Sequence, residues 1–380
     1  MRGRTDEQPP LFHMFEVEAR IRADHPLRDV KRRVDRILNG MSAKFAAAYS
    51  HTGRPSVPPE RLLKALLLMA LYSVRSERQL CEAIDVNLLY RWFLDMSPSE
   101  EAFDATTFTH NRGRLDEHGL SRAFFDAVVQ EAITAGLCSE HFSVDGTLIE
   151  SFASAKSFQP KDQKPDDSSD GNGFLPSNPE VDFHGQKRTN ETHASRTDPE
   201  AKLYRKGPGK EAKLSHMGHA LTENRHGLIV NVTVTEANGT AERQATLDMV
   251  DELQVTHQRK PKTLGADKGY DAGEFFREIE SRKIEPHVPL AKAVGDPEQT
   301  PHHDRKAAME ARLRMQARMG TEGYRLSQKC RKKIEEGFGW LKTIAGLDKS
   351  RVVGRWKLKQ LFEIGAACYN LIRMIKLKPA

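Results

Sequence analysis

The apolar period changes once along this 380-residue chain, close to Gly136, and that change limits the fold more than any other feature. Residues 28–48 and 59–73 carry apolar side chains at helical spacing, with Leu62, Leu63, Leu66, Leu67 and Leu71 on one stripe. Ser76 to Gln79 has the form of a capping box opening a third helix, and Asn87 starts another. The short turn between those two gives a helix-turn-helix spacing, which ordinary helix packing also produces. Thr106 or Thr107 is placed to cap a helix whose His110, Asn111, Arg112 and Arg114 either touch phosphates or face water.

Beyond Gly136 the run HFSVDGTLIES is short, β-branched and aromatic, as buried strands are. Residues 215–223 and 228–237 alternate and are joined by a turn at 224–227, a predicted hairpin. A helix over 240–254, a strand at TLGAD, a helix at AGEFFREIESRK and a strand at EPHVPL follow; further helices are expected at 303–319, 328–344 and WKLKQLFEIGAACYNLIRMI. A hairpin beside strands that alternate with helices predicts a mixed α/β (α+β) sheet with flanking helices over 136–375, behind an all-helical region at 1–135. Residues 154–209 hold too few apolar groups to order themselves and are expected to form a flexible insert. Within them DDSSDGNG begins like a calcium loop with Asp166, Ser168, Asp170 and Gly171, but Ser177 stands where the bidentate Glu belongs, so calcium is not expected.

Composition narrows the class. Cys81, Cys138, Cys330 and Cys368 form no CxxC pair and read as reduced thiols, which excludes a disulfide scaffold or zinc ribbon. The most apolar run, 62–74, is interrupted by Lys64 and is shorter than the roughly 20 residues a membrane span needs. The polar start MRGRTDEQPPLF lacks an apolar leader, so the cytoplasm or bacterial nucleoid is the expected site of action. Residues 305–380 carry 19 Lys and Arg against 6 Asp and Glu, a net +13 that leaves −7 on the rest of a chain of net +6. Such a face either neutralises phosphates or is simply solvated.

Two predicted strands contain or end in a carboxylate amid apolar neighbours, at Val144-Asp145-Gly146 and Ala266-Asp267-Lys268. Burying one is costly unless something pairs with it, and ligands of α/β sheets sit at the carboxyl ends of strands. Asp271, by contrast, opens a capping pattern with Glu274 and reads as a helix N-cap. On the helix RKKIEEGFGWLK, Ile334, Phe338, Leu341 and Ala345 form an apolar stripe; Glu335 flanks it at about 90° whereas Glu336 lies opposite and is expected in solvent. Arg331 and Lys342 share the edge of Glu335 to within about 40°, an arrangement equally typical of a surface ion-pair row. Three carboxylates beside basic groups suit two magnesium ions, with manganese as a substitute, acting on a phosphodiester. No P-loop, GxGxxG or GxSxG occurs. His216 and His219 would point to opposite faces of a strand, which disfavours a zinc pair, and Trp92 and Trp340 read as core. Trp356 reads as core in the same way, although it lies among Arg351, Arg355, Lys357 and Lys359, a set able to stack on or clamp single-stranded DNA ends.

At these residues the chain resembles the bacterial insertion-sequence DDE transposases of the insertion-sequence-five group. VDGT around Asp145, ADKGY around Asp267 and the C-terminal helix look like the family's three acidic motifs, in order and separated by 122 and 68 residues. The family's Y-x2-R-x3-E-x6-K signature falls on Arg331, Glu335 and Lys342, with Gln328 replacing the Tyr. LYRKGPGKEAKLSHMGHALTENRHGLIV and PPERLLKALLLMALYSVRSERQL also resemble it.

The resemblance implies an RNase H-like core and an N-terminal helical region that binds the ends of a mobile element. It implies metal-dependent cleavage of double-stranded DNA at terminal inverted repeats, then transfer of the freed 3′-OH into target DNA by a homodimer in a synaptic complex. Asp145, Asp267 and Glu335 would be the catalytic metal ligands, and Arg331 and Lys342 would meet phosphates. Lys268 and Tyr270 would lie beside Asp267 close to DNA, although Gly269 and Tyr270 fit a turn and packing equally well. A non-catalytic DNA-binding relic or repressor, or an RNase H-like nuclease or resolvase, would share the fold.

Overall fold

A computed structural model describes residues 16–50, 52, 56–161, 188–205, 211–299 and 302–377. The N-terminal residues 1–12 and the calcium-like stretch at 166–177 lie outside the described residues.

The expected change of period is where helices give way to a sheet. Helices at Leu27–Gly40, Pro59–Leu71, Glu77–Val86, Thr106–Glu117 and Leu120–Thr134 precede the first strand, β1 (His141–Glu150). The hairpin strands β2 (Lys213–Glu223) and β3 (Ile229–Glu236) follow, then helix α1 (Ala241–His257), β4 (Thr263–Gly265), α2 (Gly273–Ser281) and β5 (Glu285–His287). Their spatial order is β3-β2-β1-β4-β5, with β2 antiparallel to β1 and with β4 and β5 parallel to it. This is the order of an RNase H-like core. Helices α3 (His303–Arg318), α4 (Glu322–Arg331), α5 (Lys333–Thr343) and α6 (Arg355–Lys376) complete the chain.

Helix α6 is the strut of the molecule. Leu358, Phe362, Ile364, Ala366, Ala367, Leu371 and Met374 are buried, and the helix packs on Leu120–Thr134 and Pro59–Leu71 as well as on β3. Asn370 pins it to the sheet, accepting from the backbone N–H of Ile229 at 2.9 Å and donating to that residue's carbonyl at 2.7 Å. The N-terminal helices and the sheet therefore share one contiguous apolar core. Among the described residues no helix is long and apolar enough to cross a membrane.

Several expectations need correction. Leu88–Phe93 buries Tyr90, Arg91, Trp92 and Phe93, so this short helix packs into the core as ordinary helix pairs do. Asp104, not a threonine, receives the first free N–H of Thr106–Glu117, at 2.7 Å. Asn111 and Arg112 on that helix are buried, with Arg112 paired to Glu77 and hydrogen-bonded to Gln360, so neither meets phosphate. Within 154–209 the described residues form strands: Phe158–Pro160 pairs with His193–Ser195, and Lys202–Tyr204 adds to β2. The long helix expected at 328–344 is broken at Lys332 into α4 and α5. Asp271 caps nothing: its carboxylate takes two 2.8 Å bonds from Arg312 of α3 and one from the N–H of Ala291. Position 273, the first of α2, must be glycine, because a Cβ there would fall 2.1 Å from the carbonyl oxygen of Ala308.

Glu363 of α6 is buried, and its carboxyl is pushed up to about 7, first by burial, with Lys359 and Arg122 opposing. A raised acid favours folding below its ordinary value and costs stability as pH rises through the folded one. Glu363→Gln should leave unfolding free energy nearly unchanged at pH 4.5 and raise it by about 2–3 kcal/mol at pH 8 in chemical denaturation. Equal effects at both pH values would contradict this.

Candidate active site

The parallel pairing of β1 with β4 fixes the site. His141 aligns with Thr263 and Ser143 with Gly265, so two residues further along, on the same side of each strand, Asp145 comes opposite Asp267. Asp145 lies within β1, and Asp267 lies just past the carboxyl end of β4. The Oδ1 of Asp145 accepts from the N–H of Gly146 at 2.8 Å, and that of Asp267 accepts from Gly269 at 2.7 Å, opening the 3-10 turn Lys268–Tyr270.

The helix edge meets this pair from the other side of the sequence. Arg331, at the end of α4, places Nη1 3.5 Å from the Oδ2 of Asp145 and Nη2 3.7 Å from the Oε1 of Glu335, in the first turn of α5. Only 20% of the Asp145 side chain is exposed, against 62% for Glu335. Burial pushes the Asp145 carboxyl up to about 6; the charges of Asp267 and Glu335 add to this, while the Gly146 N–H and Arg331 oppose it. Asp267, just past β4, and Glu335, on α5, thus both act on the charge of Asp145 in β1.

A fourth carboxylate belongs to this group and was not foreseen. Glu242, in the first turn of α1, lies against the backbone of Gly146: a Cβ there would be 2.5 Å from its Oε1. Its carboxyl is raised by burial and then by the charges of Asp267 and Asp145. A Glu in a first helical turn normally signals only the helix dipole, so the one available hint was the glycine directly after Asp145.

The remaining expected residues divide. Lys342 donates to the carbonyl of Leu148 in β1 at 2.9 Å and lies 3.6 Å from Asp348, so it ties α5 to the central strand. Lys268 is exposed beside Asp267. Tyr270 is fully buried against Phe275, which corrects its expected contact with DNA: the ring fills core behind the turn. Gln328, at the signature's Tyr position, donates to the carbonyls of Ala266 and His287 and anchors α4 to the ends of β4 and β5. Glu336 is exposed as expected and pairs with Arg373. Arg351 donates to the carbonyl of Val74, and Arg355 pairs with Glu200 at 2.7 Å, so both are engaged within the fold. Trp356 is 39% exposed with the Lys357 ammonium 5.1 Å from its ring centre. His216 binds Asp198 at 2.8 Å and His219 binds Thr235 at 2.8 Å, two separate buried contacts.

Among the described residues no three His, Cys, Asp or Glu side chains close on one ion position as they stand. In kind, however, the donors fit a hard divalent cation: all are carboxylate oxygens, and Arg331 is the nearest opposing charge of Asp145.

The sequence matches two families, one described as Transposase domain (DUF772) over residues 15–114 and one as Transposase DDE domain over residues 175–371, just over half of the chain. The second match includes Asp267, Arg331, Glu335 and Lys342 and begins after Asp145. No curated protein matches the sequence. Among solved structures, a piggyBac transposase synaptic complex with hairpin DNA is 10% identical, covering 93% of this chain and 75% of that one at a TM-score of 0.40. A Mos1 transposase paired-end complex is 14% identical, covering 78% and 81% at a TM-score of 0.21. Likenesses this loose say nothing about the chemistry of this chain.

In chelator-treated protein the raised Asp145 carboxyl should cost stability as pH climbs through about 6. Asp145→Asn should therefore match the parent near pH 4 and exceed it by about 2–3 kcal/mol at pH 7.5 in denaturant unfolding. A variant less stable than the parent at pH 7.5 would contradict this account of the site's electrostatics.

Proposed function

The chain belongs to the DDE transposase family, and from that premise we propose that it cuts double-stranded DNA at the terminal repeats of an insertion sequence and joins the freed 3′ ends to target DNA. Enzymes of this family use divalent metal ions; here the ion is magnesium, replaceable by manganese, with two ions per site. The observation that carries this reading is Arg331, 3.5 Å from Asp145 and 3.7 Å from Glu335, beside the parallel register that sets Asp145 alongside Asp267.

Asp145 and Asp267 are the metal-binding carboxylates held by the sheet, and Glu335 completes the set. Bound there, the metal supplies positive charge to the phosphate oxygens and activates the attacking oxygen. Strands β1 and β4 fix the first two acids, while the exposed Glu335 can rotate inward from the first turn of α5. Arg331, between Asp145 and Glu335, limits their repulsion and is placed to orient a phosphate. Lys342 holds α5 on β1 and adds positive charge near the backbone of the DNA. The scissile bond breaks by attack of water, leaving a 3′-OH; that hydroxyl then attacks a target phosphodiester and displaces its 3′-oxygen, with no covalent link to the enzyme.

Residues 1–135 bind the element's ends, and residues 136–375 form the catalytic domain. Lys268 and the Trp356-Lys357 pair lie on the DNA path. Joining two ends requires two copies of the chain in a synaptic complex, and the motifs around the three acids fit the insertion-sequence-five group.

With magnesium or manganese, the full chain should nick DNA carrying the repeats that flank its gene. Asp267→Ala should abolish nicking while shifting the same DNA in a gel as the parent does. Undiminished cleavage by that variant would remove Asp267 from the site.

A further inference from the structure

Strands β4 and β5 run side by side only as far as the pairing of Gly265 with His287, and the N–H of Ala266 adds one last bond to the His287 carbonyl at 3.2 Å. Past that point the chain leaves the sheet: Asp267 follows directly and opens the 3-10 turn Lys268–Tyr270. An aspartate placed just where a strand ends has lost the ladder that would otherwise fix its backbone. Gln328 takes over there. Its Nε2 donates to the carbonyl of Ala266 at 3.3 Å and to that of His287 at 2.5 Å, one oxygen beside each strand end. Two carbonyls facing one carboxamide also fix its orientation, since only the NH2 end carries donors.

One face of α4 is built around this seat. Tyr324, Ser327, Gln328 and Arg331 recur at helical spacing and all meet the sheet. The Tyr324 ring meets the His287 ring edge-on with centroids 5.9 Å apart, and a Cβ at Gly265 would come 2.9 Å from the Ser327 Oγ. Arg331, three residues after Gln328, reaches Asp145 at 3.5 Å. On the far side of Asp267, Tyr270 is sunk in the core, and its N–H donates to the Asp267 carbonyl at 3.2 Å. Asp267 is thus bracketed, by Gln328 through Ala266 before it and by Tyr270 after it.

We propose that Gln328 is a positioning residue for Asp267: its carboxamide bridges the point where β4 and β5 part, and so sets the backbone from which that carboxylate projects. The same anchor fixes the height of α4, and with it the reach of Arg331 to Asp145. The inference rests on the reading of Asp267 as a catalytic acid and extends it to a neutral residue that acts through the backbone. Phosphodiester chemistry is sensitive to such support, because a shift of about 1 Å at a reacting group costs roughly a hundredfold in rate.

The test compares the full chain with three variants. Gln328→Met keeps side-chain length and helix propensity but has no donor, Gln328→Lys restores an N–H donor of the kind Lys342 gives to the Leu148 carbonyl, and Asp267→Ala removes the acid. Hydrogen exchange without DNA or metal is the first readout. Gln328→Met should speed exchange by about tenfold or more over 266–271, where the Gly269 N–H is bound to the Asp267 carboxylate, and leave β1, β2 and β3 as in the parent. Nicking of DNA carrying the flanking repeats, with magnesium, is the second. Its rate at saturating DNA should fall by about ten- to a hundredfold in Gln328→Met, while the dissociation constant from gel shift stays that of the parent. Gln328→Lys should recover most of both. Parent-like exchange in Gln328→Met overturns the proposal; so does protection lost through the whole sheet, which makes Gln328 a general support only. Parent-like nicking by Gln328→Met beside an inactive Asp267→Ala overturns the positioning role and leaves Asp267 in the site. Parent-like nicking by Asp267→Ala overturns the reading of that acid and this proposal with it.

Discussion

A carboxylate held inside the central strand of a sheet is the constraint around which this molecule is arranged. Asp145 is four-fifths buried, and its charge is opposed by the neighbouring acids and supported by Arg331 and one backbone N–H. Burying such a group without full compensation is unfavourable, so the elements around it are fixed tightly enough to bear the cost. Strand β4 holds Asp267 in parallel register, α4 brings Arg331, α5 brings Glu335 and α1 brings Glu242.

The supports lie some distance from the acids. Helix α6 runs through the core and joins the N-terminal helices to β3, with Asn370 fixing its height. Gln328 binds α4 to the ends of β4 and β5, and Lys342 binds α5 to β1, so the broken helix at Lys332 keeps both halves seated on the sheet. Asp198 receives bonds from Ser151 and His216, while Glu200 takes the first N–H of α6 and the Arg355 side chain. Several groups that look suited to DNA, among them Arg112, Arg351, Arg355 and Tyr270, are spent on this scaffold.

Much of this was legible in the sequence because it depends on local pattern. The alternating hairpin, the buried strand around Asp145 and the long apolar C-terminal helix follow from period and composition, and the acids stood out because carboxylates are rare in apolar strands. What escaped depends on contacts between distant segments. Nothing near Asp271 announces Arg312, forty-one residues away. Tyr270, beside an acid and a lysine, looks available until the fold closes over it. Glu242 resembles an ordinary first-turn Glu until α1 is laid across Gly146. The interruption at Lys332 is written in no proline or glycine.

The central claim is that acids from separate elements surround a common cation position. Anomalous scattering from crystals of the full chain grown with manganese tests it most directly. The account predicts strong peaks within coordination distance, about 2.0–2.4 Å, of the carboxylates of Asp145 and Asp267. Manganese bound only elsewhere, with those two carboxylates empty-handed at saturating metal, would contradict it.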